Sequence, residues 1–189
     1  MGLGKPVAAF AVKFLVLYGL LAASWPLVGG VYAYFFRQSG ETFLEVVGIG
    51  KDVRIRPAAE PKGLNDVVFF TRGTTGEQRQ RALSSWLMGF HPTAMVVALV
   101  LATPVSAQRR FRALCAGFII IHSFVLLRIA VFAMLSGVTA ANTTFMETAM
   151  WIAFMFVHGH GVSLIVPVLV WLAVTIRRED VRCFVTVHQ

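Results

Sequence analysis

The chain has 189 residues, 57% of them hydrophobic and only 14% charged, with a mean hydropathy of +0.73. Soluble domains carry roughly 25% charged residues, so this composition excludes an ordinary soluble domain and makes a lipid bilayer the default solvent. The formal charge of +8 raises nucleic acid as a partner, but such a protein collects its cations into a patch, whereas here they are divided among loops.

The first apolar stretch, 7–36, exceeds the about 20 residues that a spanning helix needs. Ala22, Ala23 and Ser24 resemble a signal-cleavage site, yet the apolar run continues through Trp25 to Phe36, so an uncleaved anchor is expected. The polar insertion 37–90 follows. Asp52 to Arg56 alternates polar residues with Val53 and Ile55, and Asp66 to Thr71 is rich in β-formers, with Pro57, Pro61 and Gly63 between them, which predicts a small strand pair. Thr74 with Glu77, or Thr75 with Gln78, has the capping-box spacing and predicts a helix over Gln78 to Phe90. About 50 residues cannot build a core of their own, so the insertion should lie on the helix ends, with Phe43, Leu44, Val67, Phe69 and Trp86 as contact residues.

Three further spans are predicted at 86–107, 113–136 and 148–176; the first of these contains Pro92 near its outer end. The fold class is thus an all-α membrane protein of four transmembrane helices, with a small extracytoplasmic α+β region between helices 1 and 2. Arg109, Arg110 and Arg112 join spans two and three, and Arg177, Arg178 and Arg182 follow span four, while 137–147 has no Lys or Arg. By the positive-inside rule both termini are cytoplasmic and 37–90 is extracytoplasmic; the membrane expected is the plasma (inner) membrane of a bacterium. Eight basic residues in the first loop oppose that assignment, but long loops translocate with less regard to charge. Cys115 and Cys183 then face the cytoplasm, and no disulfide framework is expected.

Arg128 most needs explaining, because a central intramembrane arginine costs roughly 2.5–3.5 kcal/mol to insert. Two roles are open to it: a functional site, or a fastener that hydrogen-bonds backbone carbonyls or snorkels. His122, His158 and His160 are the other intramembrane polar residues; His122 is expected to be an interhelical hydrogen-bond partner. At about 1.5 Å per residue from the cytoplasmic ends, Arg128, His160 and His158 lie roughly 22, 24 and 27 Å deep and His122 roughly 14 Å. Arg128, His158 and His160, joined by His91 and Glu147, form the candidate outward-facing cluster. The unequal depths of His122 and His158 weigh against a haem held by both, and no carboxylate or thiol accompanies the histidines at metal-site spacing, so no cofactor or metal is expected.

Arg128-Ile129, followed thirty residues later by His158 in the next span, resembles the exosortase and archaeosortase superfamily of membrane transpeptidases. The resemblance implies an outward-facing site in which Arg128 and His158 take the arginine and histidine roles. The family's cysteine nucleophile has no counterpart: Cys115 precedes Ala116 and Gly117 but lies on the helix of Arg128, roughly 20 Å away. Ser84 and Ser85 stand at about the right distance in sequence with no evident base, and Val125 replaces the usual asparagine. In outline the chain is closest to the non-catalytic exosortase-associated membrane proteins, which implies an accessory subunit.

The leading expectation is therefore a non-catalytic membrane protein, surrounded by lipid, that docks another integral membrane protein or a translocated substrate at the outer face. A sortase-like transpeptidase or protease without the cysteine, using Arg128 and His158, is the enzyme alternative, and an ion or proton pathway component is the transport alternative.

Overall fold

The computed structural model describes residues 4–48, 50, 53–62, 65–72, 78–137 and 160–175. Their elements run α1 (Gly4–Ala23), α2 (Trp25–Val46), β1 (Val53–Lys62), β2 (Asn65–Arg72), β3 (Gln78–Leu83), a π-helical turn at Trp86–Phe90, α3 (His91–Ala102), α4 (Ala107–Gly137) and α5 (His160–Thr175). The described chain is mostly helical, with one small antiparallel sheet.

The continuous helix expected over 7–36 is broken at Ser24, and its halves diverge by 72°. Pro26 causes the break: it has no N–H for the Ala22 carbonyl, and its ring would crowd that group. Ser24 closes the first helix by donating its hydroxyl to the Leu21 carbonyl at 2.6 Å. Its own carbonyl accepts Leu27 N–H at 2.9 Å and so starts the next helix. Window hydropathy averages across such a break and cannot register it. At the far end, Gly48 takes a φ of +82°, which glycine adopts without strain, and turns α2 towards the sheet.

The strand order is β1-β2-β3, antiparallel throughout, with Ile55 opposite Phe69 and Phe69 opposite Arg81. The first two strands fall where alternation predicts them. The helix expected over Gln78 to Phe90 is corrected: Gln78–Leu83 is the third strand, and helical structure starts only at Ser85. The capping-box spacing lost because pairing with β2 satisfies these backbone groups along six residues, which a single local cap does not. Val53, Ile55, Val67, Phe69 and Leu83 are buried on one face of the sheet, in a common core with Phe36, Leu44, Ile129 and Phe132. Glu41 accepts the Ile55 N–H at 2.9 Å, tying α2 to the edge strand β1.

Asp66 fixes the passage from sheet to helix. One carboxylate oxygen accepts the Ser85 N–H at 2.8 Å and the other accepts its hydroxyl, while Ser84 Oγ accepts the Leu87 N–H at 3.2 Å. The span expected over 86–107 ends at Ala102, and Ala107 already belongs to the following helix, because Pro104 cannot continue the hydrogen-bond ladder.

Eight of the twelve residues of α3 are buried, so this helix is the centre of the bundle, packed by α1, α4 and α5. Trp171 donates to Thr103 Oγ1 at 2.8 Å and stacks on Phe10 at 5.6 Å, whereas Tyr18 meets His91 at 5.8 Å. The first helix therefore runs the length of α3 in the opposite direction. Arg109 donates to the Thr175 carbonyl, joining the start of α4 to the end of α5. Large apolar side chains such as Leu15, Leu20, Val31, Ile119, Ile165 and Leu169 are exposed on the flanks. Among the described residues one helix, Ala107–Met134, is by itself long and apolar enough to cross a membrane; the bent pair Val7–Ala23 and Trp25–Val46 passes together, and Trp86–Ala102 and Gly161–Thr175 are apolar but shorter.

Candidate functional site around Arg128

Arg128 is 2% exposed and is the largest of the fully buried side chains, although it belongs to the longest apolar helix. One guanidinium nitrogen donates to Ser163 Oγ at 3.0 Å and to the Met88 carbonyl at 3.4 Å. The Phe124 ring lies 5.6 Å from the guanidinium carbon, close enough for a cation–π contact.

Two prolines account for this location. Pro92 has no N–H to give the carbonyl four residues before it, which is that of Met88, and Pro167 likewise withholds an N–H from the carbonyl of Ser163. A backbone carbonyl left open within an apolar bundle needs another donor. The guanidinium of Arg128 stands between these two weakened places, reaching a backbone acceptor at one and a hydroxyl at the other. The π-helical turn adds to the local irregularity, since the His91 N–H bonds back to Trp86 across five residues. Gly89 within the turn lets α2 approach: a Cβ there would lie 2.6 Å from the Tyr32 hydroxyl.

The site is thus built from α4, the π turn and α5. His91 follows the turn and its ring meets Tyr18 and Trp86, the latter at 6.2 Å. Of His160 only the backbone is described, opening α5 one helical turn before Ser163. Glu147 and His158 lie outside the described residues. His122 faces elsewhere on α4: its Nδ1 is 3.0 Å from the Phe118 carbonyl, and the Phe118 and Phe35 rings lie 3.9 and 5.7 Å from its own. Among the described residues no group of three or more His, Cys, Asp or Glu side chains is placed to hold a metal ion.

Sequence reasoning missed Ser163 and Met88. Their one legible signal was the proline four residues after each. It also missed Asp66 beside Ser85. That pair starts a helix, and the Ser85 side chain is fully buried, unlike an accessible nucleophile. Cys115 is exposed near the start of α4, thirteen residues before Arg128 on the same regular helix and so roughly 20 Å away along the axis. Comparison with protein-family models, curated proteins and solved structures returns no match.

Proposed function

We propose that this chain is a four-span integral membrane protein of the bacterial inner membrane that works as an accessory subunit, docking another membrane protein or a translocated substrate on its outer side. The exposed apolar flanks of α1, α4 and α5 support the membrane assignment, because soluble monomers rarely leave such patches uncovered. Arg109, Arg110 and Arg112 open α4 at the end of the bundle where α5 finishes, and the sequence after α5 continues with Arg177, Arg178 and Arg182, which favours that end as cytoplasmic. Cysteines introduced as Thr74→Cys and Asn142→Cys should then label from outside while Cys183 does not. Labelling of position 74 and Cys183 from the same side would overturn the topology.

One observation carries the docking role: the outward face of the sheet. Arg54 and Arg56 are exposed there, opposite the half-buried Phe70 and Val68 of β2, on a platform whose other face is fixed to the bundle. Arginine and aromatic side chains together are what interface centres favour. Glu45 is 3.5 Å from Arg54, but both are well exposed and such a pair contributes little, leaving the arginine available to a partner. Arg128 is engaged by groups of its own bundle, so this reading needs no missing nucleophile.

The test is purification from native membranes at matched expression. A membrane protein should accompany the wild-type chain in stoichiometric amount, and its recovery should fall at least about tenfold when Arg54 and Arg56 are both changed to Glu, the scale of a lost interface anchor pair. Unchanged recovery sinks the docking face. A solitary chain that cleaves peptides would replace the accessory reading by the enzyme alternative.

A further inference from the structure

The 72° bend separates two helices with different surroundings. The first lies along the bundle, meeting Trp171 near its start and His91 near its end. Its 20 residues extend about 30 Å, the thickness of the hydrocarbon core, so the crossing is complete at Ala23. The second helix has 22 residues and two unlike faces. Gly29, Ala33, Phe36, Gly40 and Leu44 are buried, and Gly40 faces both Ile55 of the sheet and Ile129 of α4. Leu27, Val31 and Tyr34, at helical spacing on the other side, are 85%, 75% and 62% exposed.

We infer that the first half of α2 is an interfacial helix, lying nearly flat in the outer leaflet with the Leu27, Val31 and Tyr34 stripe turned into the lipid. This rests on the membrane reading proposed above and replaces the view that 7–36 is a single span. With α1 along the bilayer normal, a bend of 72° leaves α2 only about 18° from the membrane plane. The aromatic side chains at the bend suit the same depth: Trp25 packs on Trp86 at 5.1 Å and on Phe90 at 5.0 Å, and tryptophan and tyrosine concentrate where hydrocarbon meets headgroups. At the far end of the stripe Arg37 lies 5.9 Å from the Tyr34 ring, positioned to extend to anionic headgroups as the apolar stripe stops. The sheet packs against the buried face of this helix, leaving the stripe to lipid. The interfacial helix therefore ties the outer cap to the bilayer surface and sets its height above the lipid.

The two geometries differ in how depth changes along the helix. A helix along the normal moves about 1.5 Å per residue, whereas one inclined at 72° to it moves about 0.5 Å. From Leu27 to Tyr34 that is about 3 Å instead of about 10 Å. The experiment uses the full chain with Cys115 and Cys183 changed to Ser, reconstituted into phosphatidylcholine–phosphatidylglycerol vesicles. Single fluorophores are attached after Leu27→Cys, Val31→Cys or Tyr34→Cys, and after Val12→Cys, Val16→Cys or Leu20→Cys in α1 as an internal ruler. Nitroxide lipids of graded depth then give each label's depth from its quenching. A depth gradient in α2 no more than half that in α1 supports the inference, and any steeper gradient overturns it. Quenching in α1 with none in α2 also overturns it while leaving the first span intact. If neither helix is quenched, the membrane reading itself fails and the interfacial helix with it.

Discussion

Arg128→Ala is expected to destabilise the protein by about 3 kcal/mol. Truncating so large a buried side chain opens a cavity, a change that typically costs about 2–5 kcal/mol. The Met88 carbonyl and Ser163 hydroxyl lose their donor, at about 1–3 kcal/mol each. Relief of the buried cation, about 2.5–3.5 kcal/mol on insertion scales, offsets part of this. Thermal unfolding in detergent should show the midpoint falling by roughly 6–12 °C, on the scaling for chains of this size. Arg128→Lys should recover little, because the single nitrogen that serves both acceptors is Nη1, and a lysine nitrogen, carried one bond nearer the backbone on a strongly hydrated ammonium, stops short of them. Pro92 allows a sharper test. In the Arg128→Ala background, Pro92→Ala restores an N–H for the Met88 carbonyl and should return about 1 kcal/mol beyond the sum of the single effects. Strict additivity would mean that the arginine does not answer the gap left by Pro92.

The second large effect is expected from Phe69→Ala. Phe69 is 1% exposed and meets Phe132 edge-on at 5.1 Å, a ring contact between the sheet and α4. Losing a buried phenylalanine costs about 3–5 kcal/mol, and here that loss falls within the core that the sheet shares with α2 and α4. Limited proteolysis should therefore cut the 51–84 region at least about tenfold faster, while helical circular dichroism stays close to wild type, because local opening is far easier than global unfolding. Resistance equal to wild type would show that the sheet does not depend on this contact.

The sequence reveals most about features that repeat and least about features that depend on one distant partner. The alternation at Val53 and Ile55 is periodic and the first two strands appear where it puts them, whereas the apolar runs locate helical chain but not its limits, since 7–36 is two helices at 72° and the span expected over 86–107 stops at Ala102. Gln78 to Leu83 has a composition unlike a strand, and only its pairing with Val67 to Arg72 decides its state. Ser24 and Pro26 were visible, but a long apolar window conceals a break that leaves hydropathy unchanged. Arg128 stood out because charge is rare in such a helix. Its partners did not: a serine and a backbone carbonyl carry no signal until Pro92 and Pro167 are read as places where a helix lacks a donor. His91 adjoins the turn that Arg128 holds, while Glu147 and His158, expected beside it, lie outside the described residues.

The sheet is encoded before α4, yet its apolar face is covered partly by Ile129 and Phe132 of that helix. A chain made from its N-terminus completes Phe69 sixty-three residues before Phe132, an interval on the order of several seconds at ordinary rates of synthesis. During that interval Val53, Ile55, Val67 and Phe69 have only α2, Leu83 and Met88 to shelter them, and lack the part of the core that α4 supplies. The sheet must therefore wait, partly covered, for a later helix to arrive, and any delay in delivering α4 lengthens the time in which its strands can pair with a neighbouring chain.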